Sequence, residues 1–210
     1  MSTPIVVEPL ELTFSTIWLL QPEYSSFRRA LESKGYTLRD EVRGSVVKIA
    51  TKGSIEVFAN VERRTVGIRS ETSTKDLLVA HEDLEHIYRE LGVEKSNLMI
   101  HEFIGRFSAT STRSPIEMIK SLKLEQNILE KIGSIMDTKI APIGLDLTAK
   151  DGDPTSSDWL HLNIDPLYVS ANKKYLLRVV YRGEPEEVVK FIKTIERRLK
   201  KIIEKLEGVS

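Results

Sequence analysis

The cleanest pattern in the chain lies near its end. Val188, Ile192, Ile195, Leu199, Ile202 and Leu206 are spaced four, three, four, three and four residues apart. That spacing keeps them on one side of a helix and predicts an amphipathic helix from about Glu184 to Leu206. Val189, Phe191 and Ile203 widen the stripe beyond a coiled-coil seam. The helix is therefore expected to lie across the chain's own sheet, with its last turns overhanging toward a partner. A second stripe, Leu77, Leu84, Ile87 and Leu91, predicts a helix from about Thr74 that stops at Gly92.

Elsewhere the period drops to two. Leu12, Phe14, Thr16 and Trp18 would share one face of a strand from Leu10 to Leu20, which Pro22 ends. A short helix from Glu23 to Ser33 follows, with Tyr24, Phe27 and Leu31 on one side and Gly35 as its C-cap. Tyr36–Val42, Ser45–Thr51, Ser54–Val61 and Thr65–Arg69 read as a meander, with Lys52-Gly53 at a hairpin turn. In the third of these, Ile55, Val57, Ala59 and Val61 fall on one face. The second half opens with a strand from Asn97 to Ala109, bent at Gly105. Ser114 and Pro115 then start a helical stretch that runs to Met136, with a break at Leu122 to Glu125. Ile140–Thr148, Trp159–Asp165 and Lys174–Arg182 are strands, and Gly183 precedes the final helix.

These elements predict an α+β fold. Two pseudo-repeated strand-helix-meander-helix units, residues 1–95 and 96–210, would form one mostly antiparallel sheet with helices packed on one face. The joins echo each other, Ile68-Arg69-Ser70-Glu71 before one closing helix and Tyr181-Arg182-Gly183-Glu184 before the other. The arrangement is similar in outline to the TATA-binding-protein saddle. That likeness is one of element order, and it carries no residue roles.

Composition narrows the setting. At 210 residues and 40% hydrophobic content the chain can bury a sizeable core. Its 31 basic and 31 acidic residues cancel, so a polyanion or anionic membrane would need a local basic patch. The chain has no cysteine, which removes disulfides, thiolate metal sites and cysteine nucleophiles. The sequence shows neither a signal-peptide pattern nor an apolar run long enough to span a membrane, and a cytoplasmic location is expected. Charged residues at 30%, with glutamine only at positions 21 and 126, match a thermophile's habits.

Candidate chemistry is sparse. His81 and His86 flank Glu82-Asp83-Leu84-Glu85, but their spacing of five turns the imidazoles about 140° apart on a helix. A solvated helix face is the simpler reading. Asp151-Gly152-Asp153, with Asp158 beyond, lacks the ligand spacing of a calcium loop and reads as a turn. Between positions 143 and 165 the alternation is more telling. Ile143, Leu145, Leu147, Leu160, Leu162 and Ile164 should face the helices, leaving Asp146, Thr148, Trp159, His161, Asn163 and Asp165 on the other side. Trp159, His161 and Asn163 are candidate ligand-binding residues, and His161 with Asp146 or Asp165 is the candidate acid–base pair. An ordinary solvated sheet face explains the same pattern.

In the first half, Lys48, Phe58, Arg63, Arg64 and Arg69 are candidate nucleic-acid contacts on an open sheet. Arg28, Arg29, Arg106 and Arg113 would extend that patch if the fold gathered them. The sequence contains no phosphate loop, nucleophile elbow or kinase signature. The leading expectation is a non-enzymatic binding or assembly module, homodimeric through the C-terminal helix, with no cofactor, metal or membrane. A nucleic-acid-associated protein and a small-ligand binder or enzyme centred on His161 are the alternatives.

Overall fold

The computed structural model describes residues 4–18, 22–94, 97–122, 126–139, 141–149 and 152–208. The first part of the chain forms β1 (Val7–Trp18), α1 (Tyr24–Ser33), β2 (Thr37–Arg43), β3 (Val46–Lys52), β4 (Ile55–Asn60), β5 (Thr65–Ser70) and α2 (Thr74–Glu90). The rest forms β6 (Leu98–Thr110), α3 (Pro115–Lys120), α4 (Gln126–Ile135), β7 (Leu145–Thr148), β8 (Trp159–Pro166), β9 (Lys174–Gly183) and α5 (Pro185–Glu207). The fold is mixed α+β, with five α-helices among the described residues and one nine-stranded sheet ordered β2-β3-β4-β5-β1-β6-β9-β8-β7. Neighbouring strands in that order run antiparallel. The central pair is β1 and β6.

Register follows the alternation. Phe14 of β1 sits opposite Ile68 of β5 and Phe103 of β6, and Phe103 sits opposite Tyr181 of β9. Leu12, Phe14, Thr16 and Trp18 are all buried, so β1 turns the expected face inward. Onto that face pack Phe27 and Leu31 of α1, Leu77, Leu84 and Ile87 of α2, and Ile119 of α3. The largest contribution comes from α5, whose Val188, Phe191, Ile192, Ile195, Leu199 and Ile203 are buried. A fully buried side chain of this size contributes about 1.5–3 kcal/mol, so this one helix anchors much of the core.

The last turns of α5 do not overhang. Glu207 is fully buried, where it accepts from the Thr112 amide at 3.0 Å, the Thr112 hydroxyl at 2.5 Å and the Ser111 hydroxyl. The helix thus commits most of its apolar stripe and its end to its own chain, with Val189, Ile202 and Leu206 half-buried against the core. Gly105 also departs from expectation. Pairing with β1 runs through it without a shift, and the two irregularities lie between Pro9 and Glu11 and between Ile17 and Trp18 instead. A Cβ at Gly105 would come within 2.5 Å of Phe107 and 2.8 Å of Phe103, so the glycine makes room for those two rings.

Three further expectations change. Val61 and Ile143 fall just outside their strands and are exposed rather than inward. Tyr24 is exposed while its stripe-mates Phe27 and Leu31 are buried. The imagined break within 122–125 falls partly on residues 123–125, and the strand start on residue 140, which lie outside the described residues. Among the described residues no helix is long and apolar enough to cross a membrane.

Candidate binding face

The helices leave the other side of the sheet uncovered. Its residues follow from the same registers: Glu41 opposite Lys48, Lys48 opposite Phe58, Glu56 opposite Arg69, and Glu11 opposite Arg106. Lys48 and Arg69, two of the candidate nucleic-acid contacts, each have carboxylates beside them. Lys48 lies 3.8 Å from Glu41 and 3.1 Å from Glu56. Arg69 lies 3.4 Å from Glu56 and 3.6 Å from Glu11, and Arg106 lies 3.2 Å from Glu11. The result is an unbroken chain of alternating charge, Glu41–Lys48–Glu56–Arg69–Glu11–Arg106. Each successive member stands on the next strand of the sheet, from β2 to β6. The missing signal in the sequence was register, because Glu11 and Arg106 are 95 residues apart.

Phe58 is buried despite lying on the uncovered side. Its ring covers Gly67, where a Cβ would come within 2.5 Å of it, and the Arg69 guanidinium sits 5.4 Å above. It has no free face for a base. Arg63 and Arg64 lie in the β4–β5 turn and are exposed. Arg28 pairs with Asp40 on the helix side of the molecule, and only Arg106 of the suggested extensions joins the face.

Across the centre line, β7, β8 and β9 present a different surface. Trp159 and His161 stack with ring centroids 5.4 Å apart and planes 3° from parallel. The Arg182 guanidinium carbon lies 5.1 Å from the Trp159 ring centre. Arg182 is held there by Glu102, to which its Nε donates at 2.5 Å, and by the Pro154 carbonyl at 2.6 Å. Trp159 Nε1 donates to the Thr148 hydroxyl at 3.1 Å. The register sets His161 opposite Thr148 and Asp146 opposite Asn163, and His161 Nε2 contacts the Asp146 carboxylate on the diagonal. Asp165 lies one row further along, and partial burial pushes its carboxyl up, against the pull of Asn163 and Arg178.

This arrangement suits contact more than catalysis. Asp146 is 71% exposed, so its carboxylate is well solvated. The nearby Thr148 hydroxyl donates to the Leu160 carbonyl at 2.9 Å and is no ready nucleophile. A cleft of about 330 Å³ lies elsewhere, between the β3–β4 turn and α2. There Asp83 accepts from Tyr36 at 3.1 Å and Lys52 at 2.9 Å, which ties the hairpin to the helix.

The histidine pair of α2 also resolves. His86 is exposed, but His81 points inward, contrary to the solvated-face reading. Its ring lies 4.3 Å from Phe14 and 5.9 Å from His101. Burial pushes the His81 pKa down to about 3 and that of His101 to about 4, the nearby His101 also lowering His81. Among the described residues no three His, Asp or Glu side chains gather as metal ligands. Asp151 lies outside the described residues, and Asp153 caps a turn by accepting from the Thr155 amide and hydroxyl, each at 2.8 Å.

No family model matches the chain, and no curated protein matches it. Among solved structures it is similar to Methanococcus jannaschii TBP, with 11% identity over 97% of this chain and 99% of that one, at a TM-score of 0.37. No residue role is transferred from that likeness.

Proposed function

We propose that this chain is a non-enzymatic binding module that docks a protein partner on the uncovered face of β7, β8 and β9. The carrying observation is the contrast between the two sides of that face. On the β2-to-β6 side the cations are already neutralised by neighbouring carboxylates. A phosphate backbone would have to displace those acids and leave them unpaired, whereas polyanion binding draws its strength from free cations. On the other side, the Trp159–His161 stack with Arg182 offers a rigid aromatic surface beside the exposed Arg178. Tryptophan and arginine are the residues that most often anchor protein interfaces. Duplication of a half-size ancestor, with a boundary near residues 95 and 96, fits this picture. Outward from the centre the strands run β1, β5, β4, β3, β2 on one side and β6, β9, β8, β7 on the other. Each side therefore takes its first strand, then its last, then counts backward.

A nucleic-acid partner is the second reading, favoured by Arg63, Arg64 and Arg178, which stand outside the charge chain. A photo-crosslinking residue at Leu176, on this face, separates the two, with Arg197 on α5 as the control position. The expected result in extracts of the source cells is an adduct at position 176, absent at 197. It should be removed by protease but not nuclease, and be lost in Trp159→Ala. An adduct removed by nuclease, together with steeply salt-dependent oligonucleotide binding, transfers the face to the second reading. Equal labelling at both positions rejects both.

A further inference from the structure

We infer that two copies of this chain join edge to edge through β7, so that one sheet runs across both. The edges of the sheet are unlike. At one end, β2 carries Arg39, Asp40, Glu41 and Arg43, all charged and all exposed, as befits a guarded edge. At the other, β7 carries a single charge, Asp146, which already has His161 beside it. Four strands lie outside the central pair toward β2 and three toward β7. The place next to β7 is vacant among the described residues.

The backbone of β7 fits a second copy of itself. The Ala149 amide donates to the Leu160 carbonyl, and Leu147 and Leu145 continue the same register against Leu162 and Ile164. In an antiparallel pair the bonding direction alternates along the strand. The amides and carbonyls of Asp146 and Thr148 therefore point outward. A two-fold axis through Leu147 sets Asp146 opposite Thr148 of the partner subunit. The outward groups of these residues then bond reciprocally, and the two carboxylates stay apart. An axis through Asp146 would instead oppose two carboxylates, which is unfavourable.

The side chains agree with that register. Leu147 is 46% exposed, and at the axis it would meet its own copy in a close, non-hydrogen-bonded pair. Ile143, Ile135 and Met136 are also exposed large apolar residues, and they precede β7 in the chain. A four-residue ladder is too short to hold two proteins by hydrogen bonds alone. Contact between the two Leu147 side chains at the axis adds to the ladder. The charged β2 edge stops further growth, so the assembly closes at two.

Sedimentation of the full chain across a concentration series tests this. The wild type is expected to pass from monomer to dimer. Leu147→Lys, which places a charge on the axis, and Asp146→Pro, which removes an outward amide while sparing the bonds to β8, should both stay monomeric with unchanged circular dichroism. Lys200→Glu, on the solvent side of α5, should dimerise like the wild type. A second readout needs no variant: hydrogen exchange at the Asp146 and Thr148 amides should slow as concentration rises. A wild type monomeric throughout, a dimer that survives either β7 substitution, or exchange independent of concentration overturns the inference.

Discussion

Phe58 and Gly67 show how a single missing side chain places an aromatic ring. The ring lies where a Cβ would stand. Gly67→Ala is therefore expected to push Phe58 off its site, at about 1–3 kcal/mol in denaturant unfolding. Adding Phe58→Leu should recover part of the loss, and strict additivity of the two would contradict the contact. His81 and His101 make a second argument at this scale. Both are held neutral, at about 3 and about 4, below the ordinary imidazole value of 6.5. The unfolded chain takes up protons first as pH falls, so stability is full above the ordinary value. It is lost progressively below that value, down through the folded pKa values, by up to about 1.4 kcal/mol per pH unit for each imidazole. Neither ring nitrogen of buried His101 has a hydrogen-bond partner among the described residues. His101→Leu should consequently flatten the acid limb of a stability-against-pH curve without a large loss at neutral pH. An unchanged slope would show that His101 is not part of it.

At the level of elements, periodicity reads well wherever one face is buried against the chain itself. The stripe of α5 was legible because hydrophobic spacing alone decides it, whereas around β7 the same spacing put Ile143 and Leu147 inward and both are exposed. The inward turn of His81 was legible only from its place, four residues after Leu77 and three before Leu84, because a histidine gives no apolar signal of its own. Phe58 shares its face of the strand with Glu56 and Asn60, so its burial depends on Gly67 and Arg69 of another strand. Glu207 belongs to the same class, because a carboxylate at a helix end looks solvated until the Ser111–Thr112 loop meets it. Glu207→Ala removes the acceptor for several donors and is expected to cost about 1–3 kcal/mol. Amide exchange should accelerate in the last turn of α5 and in the loop after β6. Unaltered exchange there would argue that the end of the helix is held by its apolar residues alone.

For the whole molecule, the antiparallel α+β class followed from the order of elements, while strand neighbours did not. The pairing of β1 with both β5 and β6 joins residues far apart in sequence, and no local pattern specifies it. That pairing also assembles the charge chain across the uncovered face. Individual exposed ion pairs stabilise little, about 0–1 kcal/mol each, although networks gain weight as temperature rises. Their larger effect concerns which of several similar sheets can form. A strand that slips by two residues still turns its apolar side inward, so burial hardly distinguishes the slipped sheet from the correct one. The charges do distinguish them. Slipping β1 by two places would part Glu11 from Arg69 and Arg106 together, breaking the chain at its middle. The polar side of this sheet thus acts as a proofreader, rejecting alignments that the greasy side would accept.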